Sequence, residues 1–136
     1  MKIGDMEKRG CDQDGCGHFD APRGARRHNG YDLLCDPGET ICSPIHGTVT
    51  KVGYPYADDL SFRYVQVSAG GYDFRLFYVE PSVAVGQTVT PDTVIGTGQD
   101  LGERYSGIAN HIHFEIKRGA DYIDPTPVLI ALGVAV

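Results

Sequence analysis

Short apolar stretches separated by turn residues recur along the chain: Thr40 to Ser43, Gly47 to Gly53, Tyr64 to Ser68, Phe74 to Val79, Val94 to Gly98 and His111 to Lys117. They are rich in Val, Ile, Tyr, Phe and Thr, side chains that suit a pleated, half-buried surface, and they read as strands. No window carries the apolar spacing of an amphipathic helix of three turns. The pattern therefore predicts an all-β fold, a small antiparallel sheet or sandwich joined by long loops. Cys11 to Gly30, rich in Gly, Asp and Arg without periodicity, reads as an ordered loop long enough to carry function. Residues 1–10 are polar and irregular and read as a flexible lead-in to one domain spanning 11–136. The apolar tail from Pro125 to Val136 suits a short helical turn or a strand equally well.

Composition narrows the function classes. The 136 residues include 41% hydrophobic and 22% charged side chains, ordinary globular usage, and 18 Gly with 8 Pro supply the turns of a meandering chain. A formal net charge of -6 argues against a phosphate-tracking surface and hence against nucleic acid as a partner. The one basic cluster, Arg23, Arg26 and Arg27, is short and reads as a solvated or acid-paired loop. No apolar run approaches the ~18 residues of a membrane span, and the first residues show no export signal, so a soluble monomer is expected. Such a protein is secreted, periplasmic or released when a host cell lyses. The four cysteines fall in two close pairs, Cys11 with Cys16 and Cys35 with Cys42, without CxxC spacing. That favours disulfides over a cysteine metal site, although four cysteines allow three connectivities and reduced thiols remain open. Bridges would place the protein in an oxidising compartment.

The densest chemistry lies in His111-Ile112-His113-Phe114-Glu115-Ile116. Strand side chains alternate, so Ile112, Phe114 and Ile116 would enter the core while His111, His113 and Glu115 share the other face. Two imidazoles side by side suit a pair of metal ligands, or one ligand beside one general base. Upstream, His28-Asn29-Gly30-Tyr31-Asp32 offers an imidazole and a carboxylate, with Gly30 allowing a loop to bend both toward one point. Two nitrogens and one carboxylate oxygen form a sensible zinc set that leaves a fourth position open.

These landmarks occur in a characteristic order. Phe19 to Arg23, His28 with Asp32, Gly38, Ile41, Pro44, Gly47 and Val49, Val85-Gly86-Gln87 with Val89, Ile95-Gly96, and His111-x-His113-Phe114-Glu115 before Asp124-Pro125 together span most of the chain. In that order they resemble the lysostaphin-type zinc endopeptidases, which cut peptidoglycan stem peptides and cross-bridges. The resemblance implies an antiparallel β fold with one zinc ion in a groove between loops. By position it implies His28, Asp32 and His113 as ligands and His111 as a catalytic proton carrier. The expected activity is that of a phage or bacterial lytic metallopeptidase whose partners are peptidoglycan peptides.

One position departs from the family pattern. Where active members carry a histidine in Tyr-x-His-Leu, this chain has Leu76-Phe77-Tyr78-Val79. The hydroxyl of Tyr78 can donate to a developing oxyanion, but with an ordinary pKa near 10 it is a poor base at neutral pH. The same tyrosine, with the Cys11-to-Cys16 segment and Leu34-Cys35, is similar to the vertebrate leukocyte-derived chemotaxins, zinc-binding relatives with a signalling role. That likeness implies a Cys11–Cys16 bridge. The chemotaxin partner of the second cysteine has no counterpart here, and Cys42 stands in for it, giving an expected Cys35–Cys42 bridge. It also implies the alternative function, a zinc-holding binding or signalling protein without catalysis. His18 could add a proton group to the groove, His46 reads as a turn residue, and Arg23 is expected in structural pairing.

Overall fold

The computed structural model describes residues 1–12, 14–24 and 26–136. Two small hairpins come first, β1 (Cys11–Asp12) with β2 (Gly15–Cys16) and β3 (Pro22–Arg23) with β4 (Arg26–Arg27). They subdivide the segment read as loop. The main strands follow: β5 (Tyr31–Leu34), β6 (Thr40–Cys42), β7 (Gly47–Gly53), β8 (Tyr64–Ala69), β9 (Tyr72–Phe77) and β10 (Val79–Pro81). β11 (Thr88–Val89), β12 (Val94–Gly98), β13 (His111–Arg118) and β14 (Asp121–Ile123) lead to one short helix, α1 (Thr126–Leu132). The apolar tail thus resolves as a helix, closed by Gly133 at φ 105°, a conformation that glycine adopts without steric cost.

All pairings are antiparallel. One sheet runs β11-β7-β8-β9-β13-β14 with β5 also on β13, and a second runs β10-β12-β6. β13 is the hub: β9 covers one edge, while β5 and then β14 share the other. The alternation expected for β13 is present, with Ile112, Phe114 and Ile116 at most 1% exposed in a core that includes Leu33, Val49, Val65, Val67 and Leu76. The expected strand from Phe74 to Val79 is interrupted at Tyr78, whose φ of 69° breaks the chain between β9 and β10 and hands Val79 to the second sheet.

Two expectations are corrected. The N-terminal segment is docked, because Ile3 and Met6 are buried in the core and Gly4 lies against the backbone of Leu132. Backbone bonds from Leu34 to Glu7 (2.7 Å) and from Arg9 to Asp32 (3.0 Å) lay the segment along the free side of β5. The second correction concerns Cys35 and Cys42, which are buried free thiols, whereas Cys11–Cys16 is a disulfide. The Cys35 sulfur lies against Gly98, and Cys42 stands in register with Val94. The two thiols therefore address opposite ends of β12, about 13 Å apart at strand spacing, where a bridge would need Cα atoms within roughly 7 Å. Burial, followed by the carboxylates of Glu39 and Asp36, pushes the Cys35 thiol up to about 12, so it stays protonated and inert. Among the described residues no helix is long and apolar enough to cross a membrane.

Candidate metal centre

Strand register creates the centre. Asp32 on β5 stands directly opposite His113 on β13, which brings their side chains to neighbouring positions on one face. Asp32 is fixed through its own backbone, its N–H donating to Gly17 (2.8 Å) and its carbonyl accepting from Arg9 (3.0 Å). His28 is held by reciprocal backbone bonds across the preceding loop, to Ala21 (2.8 Å) and from Asp20 (2.9 Å). Gly30 matters for space, since a Cβ there would lie 2.8 Å from the His113 ring and against the Phe114 carbonyl. The glycine is therefore required for close approach as well as for the expected bend.

Three donor atoms converge. His28 Nε2 and His113 Nδ1 lie 3.1 and 3.0 Å from Asp32 Oδ1 and 2.9 Å from each other. Each ring has its far nitrogen against an acceptor: His28 Nδ1 donates to the His18 carbonyl (2.9 Å) and His113 Nε2 to Glu115 Oε1 (2.8 Å). Protons therefore belong on the far nitrogens, and the near ones turn lone pairs toward a carboxylate oxygen. Three electron-rich atoms at such range repel one another unless a cation sits among them, and the set could hold one metal ion. Rear support by a carbonyl and a carboxylate is also how metal-binding imidazoles are commonly oriented. Without a metal a proton meets the same need. Burial works against charge on His113, but hydrogen bonds to Asp32 and Glu115 outweigh it and raise the ring to about 9. Asp32 itself would be raised by burial, yet its close contacts with His113 and His28, and the positive charge that a protonated imidazole brings, hold it well below the usual carboxylate range.

Further groups surround these three. Arg9 is buried with its guanidinium 2.8 Å from Asp32 Oδ2, and its other nitrogens bind Asp12 at 2.7 and 3.1 Å. Glu115 is buried and paired to Arg75 at 3.1 Å. His111, 4% exposed, donates from Nδ1 to the Ala109 carbonyl (2.8 Å) and points Nε2 to within 3.4 Å of Asp32 Oδ2. Burial lowers its pKa, with Asp32 opposing, which leaves a neutral ring with an unprotonated Nε2 at the centre.

Tyr78 lies beside that ring, edge to face, with centroids 5.8 Å apart. Its hydroxyl is 3.0 Å from that of Tyr56, which is 2.8 Å from that of Tyr105. Burial pushes Tyr78 up to about 12, so it is a proton donor and not a base at neutral pH. His28, Asp32, His111, His113 and Tyr78 thus meet in one groove of about 600 Å³. His18 contributes its carbonyl while its side chain is exposed, and His46 lies outside the groove. Sequence reasoning missed Arg9, Tyr56 and Tyr105. Glu115 was legible as the next residue on the face of His113, though not as that ring's orienting partner.

The chain is similar to proteins of one family and one fold. The family model described as Peptidase family M23 matches residues 26–125. Leukocyte cell-derived chemotaxin-2 of Bos taurus is 35% identical over 124 residues, covering 90% of this chain and 80% of that protein. The antimicrobial peptidase lysostaphin from Staphylococcus simulans superposes with a TM-score of 0.74 at 20% identity, over 96% of this chain and 52% of that one. A zinc-containing peptidase from Vibrio cholerae gives 0.62 at 23%, over 88% and 38%. At such identities the structural matches establish the fold, and the chain spans about half the length of the lysostaphin it matches.

Proposed function

The chain belongs to peptidase family M23, and from that premise we propose that it is a zinc-dependent endopeptidase hydrolysing peptide bonds in peptidoglycan stem peptides or cross-bridges. The observation that supports this reading is the convergence of His28, Asp32 and His113 donor atoms beside an uncharged His111 in an open groove. Zinc held by those three side chains would supply Lewis-acid activation of the scissile carbonyl and of water. His111 Nε2 accepts a proton from the attacking water and returns one to the leaving amine, with Nδ1 anchored on Ala109 to keep the ring aimed. The Tyr78 hydroxyl donates toward the oxyanion, its partner Tyr56 holding it in place. The protein works as a monomer on cell-wall peptides outside the cytoplasm or after host lysis.

A second reading, a zinc-holding signalling or binding protein without turnover, is favoured by Tyr78 at the family's histidine position and by the chemotaxin similarity. The separating experiment incubates zinc-loaded protein with purified peptidoglycan and scores new amine termini by mass spectrometry. The peptidase reading expects new termini that are abolished by chelation and by His111→Ala, the latter with zinc retained. Bound zinc with no new termini at any pH between about 5 and 9 would leave the second reading standing.

A further inference from the structure

The groove carries one patch of charge that the fold does not neutralise. In the β3–β4 hairpin Arg23 stands directly opposite Arg26, an arrangement in which like charges repel. Arg23 donates to the carbonyls of Cys16 (2.5 Å) and Pro22 (3.1 Å) and reaches Asp32 only at 3.7 Å, a carboxylate already engaged by Arg9. Arg27 donates to the Asp20 carbonyl at 3.2 Å. Among the described residues neither Arg26 nor Arg27 has a carboxylate partner, although Asp14 lines the same groove. The other two arginines of the groove are matched, Arg9 by Asp12 and Asp32 and Arg75 by Glu115. On a chain of net charge -6, exposed guanidiniums gathered at a groove run against the overall charge.

Position gives the patch its meaning. Arg27 immediately precedes His28, and two residues of extended backbone span about 7 Å, the length of two residues of a bound peptide. A carboxylate about two residues from the scissile bond would lie within reach of this hairpin, and the planar fork of arginine fits a carboxylate in two-point contact. The geometry points to an acidic peptide as the substrate, with Arg26 and Arg27 reading a free carboxylate close to the bond that is cut. The inference rests on the peptidase reading and narrows it: a neutral glycine bridge offers nothing for this hairpin to hold, whereas an acidic stem peptide does.

The test uses the full zinc-loaded chain and three dye-labelled peptides: one bearing a free side-chain carboxylate, its side-chain amide twin, and an oligoglycine amide. Binding is followed by fluorescence anisotropy and cleavage by new amine termini in the same samples. Hydrogen bonds to a charged group lead us to expect a preference of about ten- to a hundredfold for the acidic peptide over its twin. That preference should shrink with added salt and fall below about threefold in Arg26→Gln/Arg27→Gln, with amide-peptide affinity and zinc content unchanged. Equal wild-type affinity for acid and amide, or a preference that survives in the double variant, overturns the inference. Preference without cleavage would sustain it while sinking the peptidase reading. Cleavage of all three peptides with one KM would do the reverse.

Discussion

The two sides of the groove are built on different principles. On one side, β5 and β13 place Asp32, His111 and His113 by ladder register, and the far nitrogen of each imidazole at the centre is tied to a carbonyl or a carboxylate. Facing them, Tyr78 occupies a break between strands at positive φ, and its hydroxyl leans on that of Tyr56, which leans in turn on that of Tyr105. The strand side assembles lone pairs around a buried carboxylate and is made to hold a cation. The tyrosine side can donate and orient, but its pKa denies it the role of base. The division teaches that metal capacity and proton handling are separable in this chain, so a substitution should damage one with limited effect on the other.

The sharpest break of the strand side is Asp32→Asn. It takes away the negative charge that Arg9, His28 and His113 share and puts an NH2 donor where one carboxylate oxygen accepted. Losing one member of a buried ion pair costs about 3–5 kcal/mol. Urea unfolding should show that loss, and elemental analysis should find no zinc in the purified variant. A variant that kept both its midpoint and its zinc would mean that the carboxylate is not the organising charge.

Next comes the tyrosine side. Tyr78→Phe removes the donor while keeping the ring against His111, and a lost oxyanion contact lowers kcat by about 10²–10³ with KM and zinc content little changed. Tyr78→His installs a second imidazole, and hydrolysis of the same peptide should rise above wild type. Equal rates for all three proteins would show that this wall takes no part in turnover.

How much of this was legible beforehand follows from how each feature is encoded. The period of two in residues 111–116 announced both the core face and the reactive face of β13, whereas His28 and Asp32 stood out only in combination with that face and through the family resemblance. Arg9 was hidden because it reaches Asp32 from a segment with no periodicity, one docked by only two apolar side chains, Ile3 and Met6. The tyrosine chain joins residues 56, 78 and 105, separations that no local pattern records. The expected Cys35–Cys42 bridge failed because closeness in sequence says nothing of which end of β12 each thiol meets. Tyr78 sat inside an apparent strand, and only its positive φ shows that the strand had already ended.

A smaller effect tests the rear support of the strand side. Glu115→Gln keeps the shape behind His113 Nε2 but weakens its acceptor and leaves Arg75 without its carboxylate. Outer partners of this kind are worth about 10–100-fold in metal affinity. Competition with a zinc indicator should register that drop at unchanged stoichiometry. An unchanged affinity would mean that the register of β13 alone aims the ring.

The gentlest perturbation is pH. In the metal-free chain His113 titrates at about 9, raised by Asp32 and Glu115 against the opposing effect of burial. Below that value the ring carries a proton that must leave before Nδ1 can bind a metal, so zinc affinity should fall about tenfold for each pH unit from 9 toward 7. Above 9 this group adds no further dependence. Calorimetry at pH 7 in buffers of differing ionisation enthalpy should report about one proton released per zinc bound. Because the proton and the metal compete for one cluster of lone pairs, Glu115→Gln should lower the pH at which the dependence flattens. The tyrosine variants should leave that pH where it is. A flat affinity between 7 and 9 would indicate that His113 is already neutral, and the electrostatic contrast between the two walls would lose its basis.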